Sequence, residues 1–468
     1  MSAAEFSKFF AEIENTFSKE FATRDPQDLF EYGKDSTKVF EPKPAVVLFP
    51  KTTEEVSRVL KLCSKYSIPV VPSGGRTGLS GGAMAIQGEV VISLSKMNKM
   101  GPVDTMAQTV RVQAGAITEL VHKHCEPHSL TWPVDFGSKG SSEVGGNIAT
   151  NAGGVKVIRY GNTRNWVLGL QVVTMAGDIL ELNGSLEKNN TGPDLKQLFI
   201  GSEGILGIIT EATLKLVTLP KELQVLFFAV EDMSAVLKLF HEVRKSPFAV
   251  MAFETMTHNC IEAVTAELGL KNPLATTAST YVLMEIEQPV TEKGREVLDS
   301  WLEKIFESGL VLDGTLAQSP REARDLWSIR ESINECLAHR AFVHKNDVAV
   351  PVAELEPFVA SMHALFETKH GTFEIAMWGH IGDGNLHINT LKPEAMDKGL
   401  FIEKCHEADQ ELFALIQKHR GTISAEHGVG LLKKAALHFT RTPAELVLLR
   451  GIKKVFDPAG LMNPGKVF

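Results

Sequence analysis

The stretch P-S-G-G-R-T-G-L-S-G-G, residues 72–82, lies between two short apolar runs at 68–71 and 90–94. Strand, loop, strand is the expected local structure. A glycine has no Cβ, so successive backbone N–H groups in such a loop can approach a phosphate oxygen. Ser73, Thr77 and Ser80 add hydroxyl partners. A second tract, G-G-N-I-A-T-N-A-G-G at 145–154, carries Asn147, Thr150 and Asn151, and a third, G-S-E-G-I-L-G, begins at Gly201. Two such loops in one domain suit a pyrophosphate, whereas each tract alone also reads as a tight turn between strands. Neither early tract has the G-x-G-x-x-G spacing of a Rossmann site, which disfavours NAD. The near match G-D-G-N-L-H at Gly382 ends in histidine.

Ahead of the first loop, T-T-E-E-V-S-R-V-L-K-L-C from Thr52 combines a capping-box pattern, Thr52 with Glu55, and apolar Val56, Val59, Leu60 and Cys63 on one helical face. After it, a β-like run at 109–112 leads into a helix near 117–124, so the first third alternates strands and helices. Beyond about Pro220 the units lengthen. Strands near 223–230, 249–254 and 281–286 alternate with helices near 233–243, 260–268 and 292–306. This texture predicts a separate α+β domain in which helices cover a sheet. The turn-rich close, F-D-P-A-G-L-M-N-P-G-K-V-F, is expected to fold back onto an earlier surface. The expected domains are 1–219, 220–425 and a returning segment, 426–468.

The 468 residues, 44% of them hydrophobic, can bury large cores and suffice for two or three domains. A formal charge of -9 gives no basic footprint for a phosphate backbone, so no nucleic-acid partner is expected. Cys63, Cys125, Cys260, Cys336 and Cys405 are scattered without a C-x-x-C pair. They argue against a disulfide framework or a thiolate zinc site and fit a reducing compartment, hence a cytoplasmic location. Glu5, Glu12 and Glu14 interrupt the apolar start of the chain, which reads as an amphipathic helix rather than a targeting segment. No run of 18 apolar residues occurs, so no transmembrane helix is expected.

Two further segments carry chemistry. M-W-G-H-I-G-D-G-N-L-H-I-N sets His380 and His387 across a glycine turn, and S-A-E-H-G-V-G offers Glu426 and His427. Two histidines and a carboxylate suit a divalent metal such as zinc with one open position. In extended chain Glu426 and His427 would face opposite ways. In R-D-L-W-S-I-R-E-S-I-N-E-C-L, apolar Leu326, Ile329, Ile333, Cys336 and Leu337 make one helical stripe, with Arg330 and Asn334 along its edge. An inward arginine needs an anion, either a carboxylate of its own domain or a ligand. Lys345, and Asn389 two residues after His387 on the same strand face, extend the donor set.

Taken with P-V-D-F-G-S from Pro133, the tracts at 72–82, 144–154 and 201–207 resemble the FAD-binding domain of the vanillyl-alcohol oxidase superfamily. The match runs from about Tyr32 to Phe468, in the branch that holds D-lactate dehydrogenase, the glycolate oxidase flavin subunit and D-2-hydroxyglutarate dehydrogenase. The resemblance implies an α+β protein: an FAD-binding domain, an α+β substrate domain, and a C-terminal segment returning to the first. It implies that Pro72, Ser73, Gly74, Gly75, Arg76, Thr77, Gly78, Leu79 and Ser80, with Asn147, Ala149, Thr150, Asn151 and Gly154, wrap the FAD pyrophosphate, and that Gly145 and Gly146 also bind the cofactor. Pro133, Ser141, Glu203, Gly207, Ile208 and Asn463 are implied as further cofactor contacts. Some relatives attach flavin through a histidine near the first loop, and none occurs here before His122, so noncovalent FAD is expected.

By the same resemblance His380, His387 and Glu426 hold zinc, His427 is the catalytic base and also contacts substrate, and Arg330, Asn334, Lys345 and Asn389 bind it. The implied reaction is oxidation of a D-2-hydroxy acid, with D-2-hydroxyglutarate favoured because cationic donors suit a second carboxylate. Lactate or glycolate is the alternative within the branch. A nonredox transferase related to alkyl-glycerone-phosphate synthase and a noncatalytic electron carrier are more distant ones. An electron-transfer flavoprotein or a quinone is implied as electron acceptor, and a homodimer as the assembly.

Overall fold

The computed structural model describes residues 3–288 and 294–468. The chain forms two compact units. The first takes the chain up to Gly153, then Gly161–Leu219 and Glu426–Phe468, and the second takes Gly154–Tyr160 and Pro220–Ala425. The architecture is α+β, with mixed sheets and helices in both units.

In the first unit, strands Ala22–Thr23, Val46–Leu48, Val90–Ser93 and Val70–Ser73 form a four-stranded sheet in that order, its last three members parallel. Strands Met100–Asp104, Thr109–Gln113, Ile208–Lys215, Val167–Val173 and Ile179–Leu182 form an antiparallel five-stranded sheet. One apolar core joins them, from Val46, Val70 and Val90 to Leu170, Val172 and Leu214. The helix Thr53–Lys65 buries Val56, Val59, Leu60 and Cys63 as its periodicity requires. Its cap differs from the expected reciprocal box. The Thr52 side chain accepts from the Glu55 amide, but the Glu55 carboxylate accepts from Lys51 N at 2.6 Å.

The second glycine tract is not a loop. Val144–Thr150 is a short helix, closed by Asn151 in the left-handed region. Glycine at 145 reflects packing, since a Cβ there would lie 2.6 Å from the Ala114 Cβ. The returning segment joins the edge strand of the parallel sheet: Val70 N donates to Leu461 O, and Asn463 N donates to Val70 O. Its helix, Pro443–Phe456, carries a full capping box between Thr442 and Glu445.

The second unit is one antiparallel seven-stranded sheet, in the order Asp313–Leu316, Leu223–Val230, Thr280–Glu287, Ala249–Thr257, Glu374–His380, Asn385–Leu391, Val343–Ala349. Both faces of its central strands are buried: Phe227, Tyr281 and Leu283 on one, Leu226, Val282 and Met284 on the other. Helices must therefore cover each face, which is why the strand segments read as unbroken apolar runs. The helix expected at 292–306 is seen over Gly294–Glu307, and Glu292 lies outside the described residues. Gly154–Tyr160, expected in the first domain, goes with the second unit instead. Lys156 pairs with Glu285, which also accepts from Trp327 Nε1, and Ile158 packs where a side chain at Gly382 would otherwise sit.

The single helical stripe expected around Arg330 is two helices, Pro320–Glu331 and Ile333–Arg340, interrupted at Ser332. Serine competes for backbone hydrogen bonds and tolerates such a break. The stripe itself, Leu326 to Leu337, is still buried in one cluster.

Candidate active site

In the first unit, Pro72 and Ser73 end a buried strand and residues 74–80 form the loop after it. Gly75 lies so close to Ser141 that a Cβ would collide with its carbonyl oxygen, which presses the loop against the chain entering the helix Val144–Thr150. Arg76, at φ +58°, donates from Nη1 to Gly74 O at 2.9 Å and lies over the Tyr32 ring. Thr77, Gly78 and Leu79 complete the loop, with Ser36 N bonded to Gly78 O. Ser80 Oγ donates to the carbonyls of His427 (2.8 Å) and Gly428 (3.1 Å).

Several side chains expected to reach a ligand are used by the protein itself. Asn147 Nδ2 donates to Thr118 Oγ1 at 2.6 Å, the Thr150 hydroxyl bonds back to Gly146 O, and Asn151 Oδ1 accepts from Arg164 N. The Glu203 carboxylate accepts from Val429 N and Gly430 N, both at 2.8 Å. Burial pushes its carboxyl above the usual range, and those two amides pull it back. Asn463 Nδ2 ties Gly82 O to Glu203 O. Pro133 is buried beside Trp132, Ala149 lies in the short helix, and Gly207 precedes the core strand that Ile208 opens. Gly154 lies in the segment of the second unit.

What these tracts keep for a cofactor is backbone and space. Among the described residues, the Ser73 Oγ and Glu143 Oε2 atoms are buried without a hydrogen-bond partner, and a Cβ on Gly146 would meet nothing within 4 Å. Orphaned polar atoms beside an open glycine surface fit a phosphate-bearing ligand.

In the second unit, strand pairing puts Glu254 opposite His380, Trp378 opposite His387, Asp347 opposite His387, and Lys345 opposite Asn389. Directly paired residues share a sheet face, so Glu254, His380, His387, Asn389, Lys345 and Asp347 all lie on one. The turn Ile381–Asp383 and Gly384 reverse the chain between the two histidines. Gly384 has φ +78°, and a Cβ there would collide with Val350 O. The imidazole centroids are 5.6 Å apart and nearly perpendicular, with one ring nitrogen of each within 4.8 Å of the other.

Each imidazole is backed by a buried carboxylate. His380 Nδ1 is 2.7 Å from Glu254 Oε1, and His387 Nδ1 is 3.7 Å from Asp347 Oδ1. Burial opposes ionisation of Glu254, but the facing His380 and Arg330 outweigh it and hold the carboxyl below its usual range. Arg330 reaches Glu254 Oε2 through Nε and Nη2, both at 2.8 Å, so the inward arginine has a carboxylate of its own unit. Lys345 Nζ donates to Asn334 Oδ1 at 2.6 Å. Asn389 is buried, and its Nδ2 has no hydrogen-bond partner among the described residues. Asp383, in the turn, is pushed up to about 6 by burial against the pull of His380.

Glu426 and His427 follow Ala425 directly and open the returning segment of the first unit. The chain bends there, so the alternation expected of an extended strand does not apply. Glu254, Asp347 and Glu143 were missed in the sequence. The only signal for Glu254 was a lone carboxylate in the apolar run A-V-M-A-F-E-T-M-T, and for Asp347 its place two residues after Lys345.

Comparison with known proteins gives the family of the chain. The FAD binding domain family matches residues 44–183, and the family of FAD linked oxidases, C-terminal domain, matches residues 219–467, more than half of the chain. A D-2-hydroxyglutarate dehydrogenase of Stutzerimonas stutzeri (strain A1501) is 44% identical over 444 residues, 95% of either chain. One of Xanthomonas citri pv. viticola is 44% identical over 95% of this chain and 93% of its own. The fold is also that of p-cresol methylhydroxylase, with a TM-score of 0.78 at 17% identity over 100% of this chain and 97% of that one. No helix among the described residues is long and apolar enough to cross a membrane. The chain thus belongs to the FAD-linked oxidases of the vanillyl-alcohol oxidase superfamily, as an FAD-dependent dehydrogenase of the D-2-hydroxy acid branch.

Proposed function

We propose that this chain oxidises D-2-hydroxyglutarate to 2-oxoglutarate. The observation that carries the reading is the shared sheet face of the second unit, where two carboxylate-backed imidazoles stand with a lysine and a buried amide. The substrate named for the relatives at 44% identity supports the same choice.

In this reading His380 and His387 hold a divalent ion such as zinc, and Glu426 completes the set. Glu254, which accepts from His380 Nδ1, fixes that ring so that Nε2 serves as ligand. Thr422 is bridged to Ala349, whose partner Asn385 lies opposite His380. Four residues of chain keep Glu426 within ~14 Å of Thr422. When bound, the ion would supply Lewis acidity to the substrate hydroxyl, and noncovalent FAD would supply a two-electron acceptor for the hydride. His427, as neutral imidazole, accepts the hydroxyl proton. Asn389 Nδ2 needs an acceptor, and a substrate carboxylate oxygen provides one. Lys345 and Asn334 lie on the same side of that contact. Arg330 commits Nε and Nη2 to Glu254, so Lys345 carries more of the carboxylate charge than the arginine does.

The family resemblance supports an electron-transfer flavoprotein or a quinone as acceptor and a homodimer as the working form. Five free, buried cysteines suit a reducing compartment such as the cytoplasm. The test is anaerobic mixing of the yellow protein with D- and L-2-hydroxyglutarate, D-malate and D-lactate. Bleaching of flavin absorbance fastest with D-2-hydroxyglutarate supports the reading, and a faster reaction with D-lactate overturns the substrate choice.

A further inference from the structure

Glu143 has no part in the chemistry above, yet it stands between the two glycine tracts. Its chain position is fixed on both sides. Val144 N donates to Ala116 O, Asn147 N donates to Glu143 O, and Glu143 bridges Ile117. The residue is 7% exposed, and Oε2 has no hydrogen-bond partner among the described residues. A Cβ on Gly74 would lie 3.6 Å from that oxygen and equally far from Gly146 N and Cα, so the carboxyl points to where the two tracts meet.

A lone buried carboxylate oxygen is costly unless it is protonated or paired. The charged group facing it is Arg76, from the first loop. The residues around the bridge and the following helix contribute Thr118, Ser142 and Asn147, which are neutral and linked through Thr118 Oγ1, and Glu119 turns away to Lys123 at 3.4 Å. Burial pushes the Glu143 carboxyl up to about 7, with Arg76 acting the other way. An ionised carboxylate here would also face the negative pyrophosphate that these tracts bind in the family. A protonated one offers an O–H donor.

We propose that Glu143 is a cofactor-binding residue that takes FAD as a neutral acid, its carboxyl O–H donating a hydrogen bond to a pyrophosphate oxygen. FAD binding above neutral pH then draws one proton from solvent onto Glu143. The inference rests on the FAD assignment of the tracts and on nothing in the histidine-bearing unit.

The experiment is titration of flavin-free protein with FAD between pH 6 and 9, followed by quenching of FAD fluorescence, for wild type and Glu143→Gln. The wild-type Kd is expected to rise up to about tenfold per pH unit above 7, as a single linked proton requires. Glu143→Gln keeps a donor at the same place, so its Kd stays flat and at pH 9 falls below that of wild type. Calorimetry of the wild type at pH 8, in buffers of different ionisation enthalpy, reads the proton uptake directly and needs no variant. A wild-type Kd that is constant across this range, absent proton uptake, or a Gln variant with the wild-type slope overturns the proposal. Wild-type protein that binds no FAD at any pH refutes the cofactor assignment itself.

Discussion

Glu254 and His380 face each other across adjacent strands, with Glu254 Oε1 2.7 Å from His380 Nδ1, while the other oxygen of the same carboxylate receives Arg330. One fully buried side chain thereby sets the orientation of a histidine and the charge balance of an arginine.

Removing that link separates two effects. Glu254→Ala strands the Arg330 charge and should cost about 3–5 kcal/mol of stability, read by denaturant unfolding. Glu254→Gln keeps the shape but weakens the hold on His380. Metal affinity should fall about 10- to 100-fold, read as metal retained after dialysis against a graded chelator.

The lysine opposite Asn389 gives a substrate-specific expectation. Lys345→Met removes a charge-assisted contact worth about 1.5–3 kcal/mol, so kcat/KM for D-2-hydroxyglutarate should drop roughly ten- to hundredfold. D-lactate, without the second carboxylate, should lose much less. Equal losses on both would place Lys345 away from the distal carboxylate.

His427 should matter for turnover and not for the flavin. His427→Ala is expected to keep a wild-type flavin spectrum while kcat falls about 10²- to 10⁴-fold, the usual worth of a positioned base. An undiminished rate would remove it from that role.

Gly75 tests the contact between loop and helix. Gly75→Ala puts a methyl into the Ser141 carbonyl, so the loop must move. A loss of about 1–3 kcal/mol in stability and weaker retention of FAD are expected, read by thermal unfolding and gel filtration of the holoprotein.

Glu143 also sets a pH dependence of the flavin-free protein. Its carboxyl is raised from 4.5 to about 7, so between those values the folded form binds more protons than the unfolded one. Stability contributed by the protonated acid is therefore present below pH 4.5 and is lost as pH rises to 7, by up to ~3 kcal/mol. Glu143→Gln should raise the Tm at pH 8 and leave it nearly unchanged at pH 4.5.

Much of this was legible in the residues because local physics governed it. Val56, Val59, Leu60 and Cys63 lie on the buried face of their helix, and the run at 223–230 is a strand over its whole length. The histidine pair follows from a turn that only its glycines allow. What escaped the sequence is long-range pairing. Nothing near Glu254 reveals that position 380 will lie opposite it, 126 residues away. The second glycine tract misled for the converse reason, because packing on Ala114 selects glycine as strongly as a turn does. Likewise Asn147 and Thr150, which look like ligand donors, spend their hydrogen bonds within the protein.

In the proposed mechanism His380, His387 and Glu426 would hold a metal that lends Lewis acidity to the substrate hydroxyl, and His427 would take its proton. The most direct test of that mechanism is anaerobic stopped-flow reduction of the flavin by D-2-hydroxyglutarate in holoprotein, in chelator-stripped protein with FAD retained, and after zinc is restored. Rapid bleaching, loss of bleaching, and recovery are expected in that order. Metal-free protein whose flavin is reduced at the holoprotein rate would contradict the mechanism.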